Sequence, residues 1–186
     1  LSITSSNLNC KKHITPLIPN IFFCAEYTKE AIDLVLQYQS APENTAAIIL
    51  EPVQGERGIY NINKDFIQYI RKLCYKYNIM LIIDEVQCGS MRTGTWWNIE
   101  QKEVIPDIMT FGKGIASGYP LASVVTKSDI MNKLEKGCLG GTYGGNAICS
   151  AAASATIDIL SDKRIQENIL ELGKYIKDSL VNIQGI

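Results

Sequence analysis

The chain has 186 residues, of which 46% are hydrophobic, so it can form one sizeable core and its length requires no second domain. Its 18 basic and 19 acidic residues are well mixed and give a net charge of -1. The sequence therefore has neither the basic stripe of a nucleic-acid-binding protein nor an acidic tail. We expect its partner to be a small molecule or another protein, with no nucleic acid.

The cysteines and the single histidine predict no metal site. The six cysteines never form a C-x-x-C pair, and His13 has no Cys or His at ligand spacing. Free thiols in a reducing compartment are the expectation. No apolar run approaches the ~20 residues of a membrane span, so we expect a soluble intracellular protein, cytoplasmic or mitochondrial, without a membrane segment.

The first half of the chain alternates predicted strands and helices. It opens at Leu1 with the strand-like stretch LSIT, which indicates that the chain begins inside a fold. Thr28 is the expected cap of a helix over 29–38, with Ala31, Leu34, Val35 and Tyr38 on one face. AAIILE at 46–51 predicts a strand covered on both faces. A helix over 64–77 and a buried strand over 79–84 follow, the helix with Phe66, Ile67, Ile70, Leu73, Cys74 and Tyr77 on one stripe.

The second half continues the alternation after a polar and aromatic loop at 85–105. Strands are expected at 108–111 and 121–125, and a short helix from Ser128 to Glu135. Two longer helices are expected at about 146–160 and 164–182. The apolar face of the last helix is Ile165, Ile169, Leu172, Ile176, Leu180 and Ile183.

This pattern predicts an α/β fold with a mostly parallel sheet and helices on both faces. In such sheets ligands bind beyond the carboxyl ends of the strands. The segments that follow the predicted strands are therefore the candidate site. They are Glu51–Glu56, Asp84–Gln87, Gly112–Gly114 and the glycine-rich GGTYGGN at Gly140–Asn146.

Lys113 lies between two glycines directly after an apolar run. A lysine nucleophile can form an imine when its surroundings depress its pKa from about 10.4, and flanking glycines would let a planar ring approach the backbone. The same residues also fit a simple turn with Lys113 pointing into water. The residues by themselves leave both interpretations open.

Asp84 closes a buried strand, where an unpaired carboxylate is costly, so it should have a partner such as a protonated ring nitrogen. LIIDE also resembles the acidic strand end of nucleotide hydrolases, but the sequence contains no GxxxxGK[ST] loop. GGTYGGN before a helix is suited to bind a phosphate through its backbone amides, although a plain flexible loop has the same composition.

Together these stretches resemble the class III (omega) aminotransferases, which use pyridoxal phosphate and have the fold-type I architecture. The matching pieces cover nearly the whole chain: LSITSSN, AAIILEPVQGERG, LIIDEVQCGSMRTG, PDIMTFGKGIASGYPLASVV and LGGTYGGNAICSAAA. Lys113 also stands midway in sequence between Asp84 and Thr142, which fits the arrangement of that family.

The resemblance implies a role for each matching residue. Lys113 would hold the cofactor through an imine, and Asp84 would pair with the pyridine nitrogen. Val86 would pack on the ring and Gln87 would reach its 3-hydroxyl. Thr142 and the amide of Gly141 would bind the phosphate of the neighbouring subunit in a homodimer with shared active sites. Glu51 and Glu56 match substrate-side glutamates of the family, and Glu56 is the one that moves with the substrate.

The implied reaction moves an amino group from an omega-amino acid to a 2-oxo acid such as 2-oxoglutarate. The loops look closest to 4-aminobutyrate aminotransferases, and acetylornithine and ornithine aminotransferases are the alternative. The resemblance further implies that residues 1–186 are the central part of the pyridoxal-phosphate-binding large domain, without its upstream part and the C-terminal small domain. A non-catalytic fragment or partner subunit is the hypothesis from another class. Arg57 and the pair Ser90-Met91 depart from the pattern of the family.

Overall fold

The computed structural model describes residues 3–5, 8–181 and 183. The strands in these ranges are β1 (Ala47–Leu50), β2 (Val53–Gln54), β3 (Tyr60–Asn61), β4 (Met80–Asp84), β5 (Ile108–Phe111) and β6 (Ser123–Thr126). The helices are α1 (Lys29–Tyr38), α2 (Lys64–Tyr77), α3 (Asn98–Gln101), α4 (Ser128–Met131), α5 (Ala147–Leu160) and α6 (Lys163–Leu180). None of these helices is long and apolar enough to cross a membrane. The strand expected over LSIT lies partly outside the described residues, and no strand forms at 3–4.

The main sheet has four strands in the order β1-β4-β5-β6. The first three run parallel, with Ile49 opposite Ile82 and Ile83 opposite Met109. β6 is antiparallel to β5, and β2 and β3 form a separate antiparallel hairpin. The predicted α/β fold with a mostly parallel sheet is therefore confirmed, and the antiparallel strand lies at its edge.

α2 has the predicted bounds because its sequence supplies both caps. Asn63 Oδ1 accepts a hydrogen bond from the Asp65 N–H at 2.8 Å, and Asn78 ends the helix in the left-handed conformation with φ 55°. The predicted stripe is buried except for Tyr77, which lies at the end of the helix and is 37% exposed.

α1 also has the predicted bounds, and Thr28 caps it through a 3.2 Å bond from the Ala31 N–H. The predicted face is wrong, because Leu34 and Tyr38 are exposed. The buried side chains are Ile32, Val35 and Leu36, which pack in the same core as α2 and β4. A ten-residue helix offers more than one apolar stripe, and the neighbouring helix decides which one is buried.

β1 is not covered on both faces, which corrects the expectation for the run AAIILE. Ala47 and Ile49, on one face of this outer strand, are exposed, whereas Ile48 and Leu50 on the other face are half-buried. β4 lies between two strands, and its Leu81 and Ile83 are fully buried. An apolar run alone does not distinguish an edge strand from a central one.

The second half of the chain is less buried. α4 ends at Met131 and not at Glu135. A small core forms from Ile115, Ala116 and Ala153, and no residue of α6 is buried in the described structure. On the predicted face of α6 only the first two residues are half-buried, and the apolar side chains that follow are exposed: Leu172, Ile176 and Leu180.

Candidate active site

The carboxyl ends of β1, β4 and β5 lie side by side because these strands are parallel neighbours. Glu51 follows β1, Asp84 ends β4, and Gly112 and Lys113 follow β5. The residues at these ends therefore lie along one edge of the sheet, where the sequence predicted a ligand site.

Lys113 begins a short 3-10 turn that ends at Ala116, and it has the left-handed φ of 46°. Ile115 and Ala116 are buried and anchor this turn in the small core. The Lys113 side chain is exposed, and its Nζ donates a hydrogen bond to Oε1 of Gln87. The backbone around Gly114 faces open space, since a Cβ there would have no neighbour within 4 Å.

Asp84 is half-buried at the end of β4. Its Oδ1 accepts a 2.9 Å hydrogen bond from the Val86 N–H. Its Oδ2 makes no hydrogen bond within the part of the chain that the structure describes. Asp84 therefore has one carboxylate oxygen available for a further partner.

The carboxyl group of Glu51 is influenced by several other charged groups of the site. Burial raises the pKa of its carboxyl group above the ordinary value, while the Gly55 N–H at 3.4 Å opposes this shift. The negative charge of Asp84 also raises the pKa of Glu51, and the positive charge of Lys113 lowers it. Asp84 and Lys113 are therefore both within electrostatic range of the same carboxyl group.

The β2–β3 hairpin determines where Gln87 lies. Gly55 begins the turn of this hairpin, and a Cβ at that position would come within 1.7 Å of the Gln87 Nε2. Glu56 is exposed in the same turn and adds to the negative potential at Glu51. Arg57, which departs from the family pattern, donates a 3.1 Å hydrogen bond from its Nη1 to the hydroxyl of Tyr27. This contact lies outside the candidate site.

A groove of about 290 Å³ lies beside Lys113. Val86 and Gln87 line it, and their contact with a ring stays a prediction. Arg92, Ser117 and Thr156 also line it, and the sequence did not single them out. These three residues come from two loops and from α5, so no local sequence pattern connects them. The R-T-G triplet that contains Arg92 was the one sequence feature that could have indicated a role at this site.

The structure does not bring Thr142 or Gly141 into this groove. Both lie in an exposed turn, where the Gly144 N–H donates to the Gly141 carbonyl at 3.0 Å. Asn146 Oδ1 caps α5 by accepting from the N–H groups of residues 148 and 149, each at 3.1 Å. These two amides are thus occupied, and a phosphate at this loop depends on the turn and not on the first turn of the helix.

Sequence reasoning missed Glu85, which directly follows Asp84. It is 1% exposed, and its Oε1 accepts a 2.8 Å hydrogen bond from the Ile99 N–H. The signal was the alternation of β4, in which Leu81 and Ile83 face the core. Residue 85 continues that face, and Asp84 lies on the opposite one.

The sequence model of the family described as Aminotransferase class-III matches residues 1–185. The chain belongs to this family. Among curated class III relatives, 4-aminobutyrate aminotransferase GabT of Escherichia coli (strain K12) is 43% identical over 153 residues, which cover 82% of this chain and 36% of the relative. Ornithine aminotransferase 1 of Staphylococcus aureus (strain COL) is 42% identical over 147 residues, covering 78% and 37%.

Solved aminotransferase structures have the same fold. An ornithine aminotransferase from Toxoplasma gondii, with partial occupancy of pyridoxal phosphate at its active site, superposes with a TM-score of 0.88 at 30% identity, over 96% of this chain and 41% of that one. Acetylornithine aminotransferase from Elizabethkingia anophelis gives 0.76 at 34% identity, over 83% and 38%. The chain thus has the fold of pyridoxal-phosphate-dependent aminotransferases and spans well under half the length of these proteins.

The site residues fit pyridoxal phosphate on their own chemistry. Lys113 would supply an amine for the aldehyde, and the second oxygen of Asp84 would be available to a protonated nitrogen. The open space at Gly114 can accept a flat ring. Within residues 3–5, 8–181 and 183, no group of three or more His, Cys, Asp or Glu side chains could hold a metal ion.

Proposed function

We propose that this protein transfers an amino group from an omega-amino acid such as 4-aminobutyrate to a 2-oxo acid such as 2-oxoglutarate. The observation that supports this is that Asp84 ends β4 and Lys113 follows β5, its parallel neighbour, so that both residues lie at the same edge of the sheet. The family match supplies the reaction class. The roles of the individual residues belong to the proposal.

Bound pyridoxal phosphate supplies an electron-poor ring that takes up electrons when a bond at the substrate carbon breaks. Lys113 Nζ would be the nucleophile that holds the cofactor, and once released it would act as the base that moves a proton at the substrate carbon. Gln87 Oε1 accepts a hydrogen bond from this Nζ and so orients it. Asp84 Oδ2 would keep the ring nitrogen in its protonated form by direct charge pairing.

The remaining residues bind and orient. Val86 lines the groove and would pack on the ring, while Gly141 and Thr142 would bind the phosphate of the neighbouring subunit in a homodimer. Their position in an exposed turn outside the groove suits that arrangement. Glu51 and Glu56 bind the ammonium end of the donor through their negative charge, and the exposed Glu56 adapts its position to the substrate.

Acetylornithine or ornithine as donor is the second candidate. The Toxoplasma gondii ornithine enzyme superposes over 96% of this chain, and the 4-aminobutyrate and ornithine relatives are 43% and 42% identical to it. A non-catalytic chain is the third candidate. Two measurements separate these possibilities.

The first measurement tests cofactor attachment. With pyridoxal phosphate added, the protein should develop a visible absorption that borohydride erases, and peptide mass spectrometry should then locate the fixed cofactor on Lys113. Lys113→Ala should lack both signals. Lys72→Ala is the matched control, because Lys72 is exposed on α2. Absence of the band in the native protein, or its persistence without Lys113, would contradict an enzymatic function.

The second measurement compares amino donors. We expect 4-aminobutyrate to give the highest kcat/KM, with 2-oxoglutarate as acceptor, compared with 5-aminovalerate, ornithine and N-acetylornithine. A higher value for ornithine or N-acetylornithine would favour the second candidate. Cofactor attachment without turnover of any donor would favour the third.

A further inference from the structure

The buried carboxyl group of Glu85 has no cationic partner within the described residues. Its Oε1 accepts from the Ile99 N–H at 2.8 Å, while its Oε2 is buried without a hydrogen-bond partner. Asn98, which is 2% exposed, also has a side-chain oxygen that is buried without a partner. Burying an unpaired carboxylate costs folding free energy, so we expect Glu85 to have a role that offsets this cost.

The backbone of Glu85 is also held by hydrogen bonds. Its N–H donates to the Thr110 carbonyl of β5 at 2.8 Å, and its carbonyl accepts from the Gly89 N–H at 2.8 Å. Glycine is required at 89, since a Cβ there would lie 2.7 Å from the Glu85 carbonyl and 2.6 Å from the Trp97 ring. Glu85 thus connects β5, its own turn and the start of α3. That turn carries Val86 and Gln87.

We propose that Glu85 is a positioning residue, whose buried carboxyl group fixes the turn of residues 85–89 to the start of α3 and thereby holds Gln87 against Lys113. Glu85 touches neither the groove nor Lys113, so it acts through Gln87. The consequence for catalysis rests on the proposed function, whereas the fixing of the turn does not.

The surroundings of Glu85 favour its neutral form. Burial raises the pKa of this carboxyl group, and the N–H groups of Ile99 and Asn98 oppose that shift. The negative charges of Glu100 on α3 and of Asp84, its neighbour in the chain, raise the pKa of Glu85 further. A protonated Glu85 carries one O–H donor, whereas the ionised form carries none.

The test compares Glu85→Gln with Glu85→Ala by amide hydrogen exchange in the protein without cofactor. Glutamine keeps the shape, accepts from Ile99 and carries an N–H donor, as the protonated acid does. We expect Glu85→Gln to retain the protection factors of residues 86–92. We expect Glu85→Ala to lower them about tenfold, the equivalent of one lost buried hydrogen bond.

The matched control is Glu100→Ala. Glu100 caps α3 from the exposed side by accepting from the Trp97 N–H at 2.7 Å. If Glu85 served only to stabilise this helix, Glu100→Ala would loosen residues 86–92 to the same extent. We expect it to leave them unchanged. Equal loosening in the control, or unchanged protection in Glu85→Ala, would overturn the proposal.

A second readout uses the protein with cofactor. Glu85→Ala should raise the dissociation constant of pyridoxal phosphate about tenfold and lower kcat, with the KM for the donor unchanged, while Glu85→Gln should match the native protein. If Glu85→Ala does not fold, Glu85→Asp replaces it, because its shorter side chain withdraws the carboxyl group from Ile99. Looser exchange in Glu85→Gln than in Glu85→Asp would refute the neutral carboxyl group. Exchange is measured without cofactor, so it remains decisive even if Lys113 attaches none.

Discussion

Helices α2 and α6 have similar amphipathic sequences, but only α2 buries its apolar face. Five apolar side chains of α2 are buried in a core shared with α1 and β4: Phe66, Ile67, Ile70, Leu73 and Cys74. α6 is longer and has no buried residue in the described structure. An apolar stripe thus indicates that a helix can pack, whereas burial depends on what lies opposite it.

The candidate site lies between the region of the larger core, with α1, α2 and β4, and the less buried region, with α5 and α6. Lys113 opens the turn that leads into the less buried region, and Gln87, which follows β4, accepts a hydrogen bond from its Nζ. The orientation of the Lys113 amine therefore depends on the side chain of Gln87.

The largest expected effect is the loss of packing in the well-packed region. Leu73→Ala should lower the free energy of unfolding by about 3 kcal/mol, because Leu73 is 7% exposed and alanine leaves a cavity. Urea unfolding followed by circular dichroism measures this. A loss below about 1 kcal/mol would mean that the core of α2 is looser than its burial indicates.

A smaller effect, which depends on pH, is expected at Lys102 in the same region. Its Nζ donates to Asn61 Oδ1 at 2.7 Å and to the Ile62 carbonyl at 2.8 Å, and burial lowers its pKa from 10.5. Between the lowered pKa and 10.5 the unfolded chain binds more protons than the folded one, so stability should rise with pH in that window.

Lys102→Met removes this titration. The urea midpoint of the native protein should therefore rise relative to that of Lys102→Met as the pH approaches 10.5. Taking the difference between the two proteins cancels the titration of the exposed lysines. A difference that is constant with pH, or that shrinks in favour of the variant, would contradict the lowered pKa.

The smallest effect is expected in the less buried region. Leu172→Ala is the same substitution as the one in α2, but Leu172 is 50% exposed. We expect a change of about 0.5 kcal/mol or less in the free energy of unfolding. A loss as large as that of Leu73→Ala would show that this face of α6 is covered in the intact protein and would remove the contrast between the two helices.

Local signals in the sequence were sufficient for most element bounds. Thr28 and Asn63 are capping residues, and the strand at 108–111 was predicted at its observed position. Burial was less predictable, because the outer position of β1 and the choice of stripe on α1 depend on neighbours distant in sequence. The early end of α4 at Met131 likewise had no local stop signal such as proline.

The candidate site was partly predictable from the order of the strands. Asp84 ends a strand, Gln87 and Lys113 follow strands, and parallel strands bring their carboxyl ends together. The sequence predicted a site at Asp84 because this residue ends a strand, and it gave no role to Glu85. The alternation of β4 nevertheless places residue 85 on the buried face of the strand. Thr156 comes from α5, and only the packed structure places it beside the groove.

The missing side chain at position 55 has a consequence for how this protein can vary. The Gln87 amide occupies the space that a methyl group at Gly55 would fill. Gly55→Ala would leave both strands of the hairpin intact, but it would displace the Gln87 amide, which accepts a hydrogen bond from Lys113 Nζ. The orientation of the Lys113 amine thus depends on the absence of a side chain at position 55 of the neighbouring hairpin.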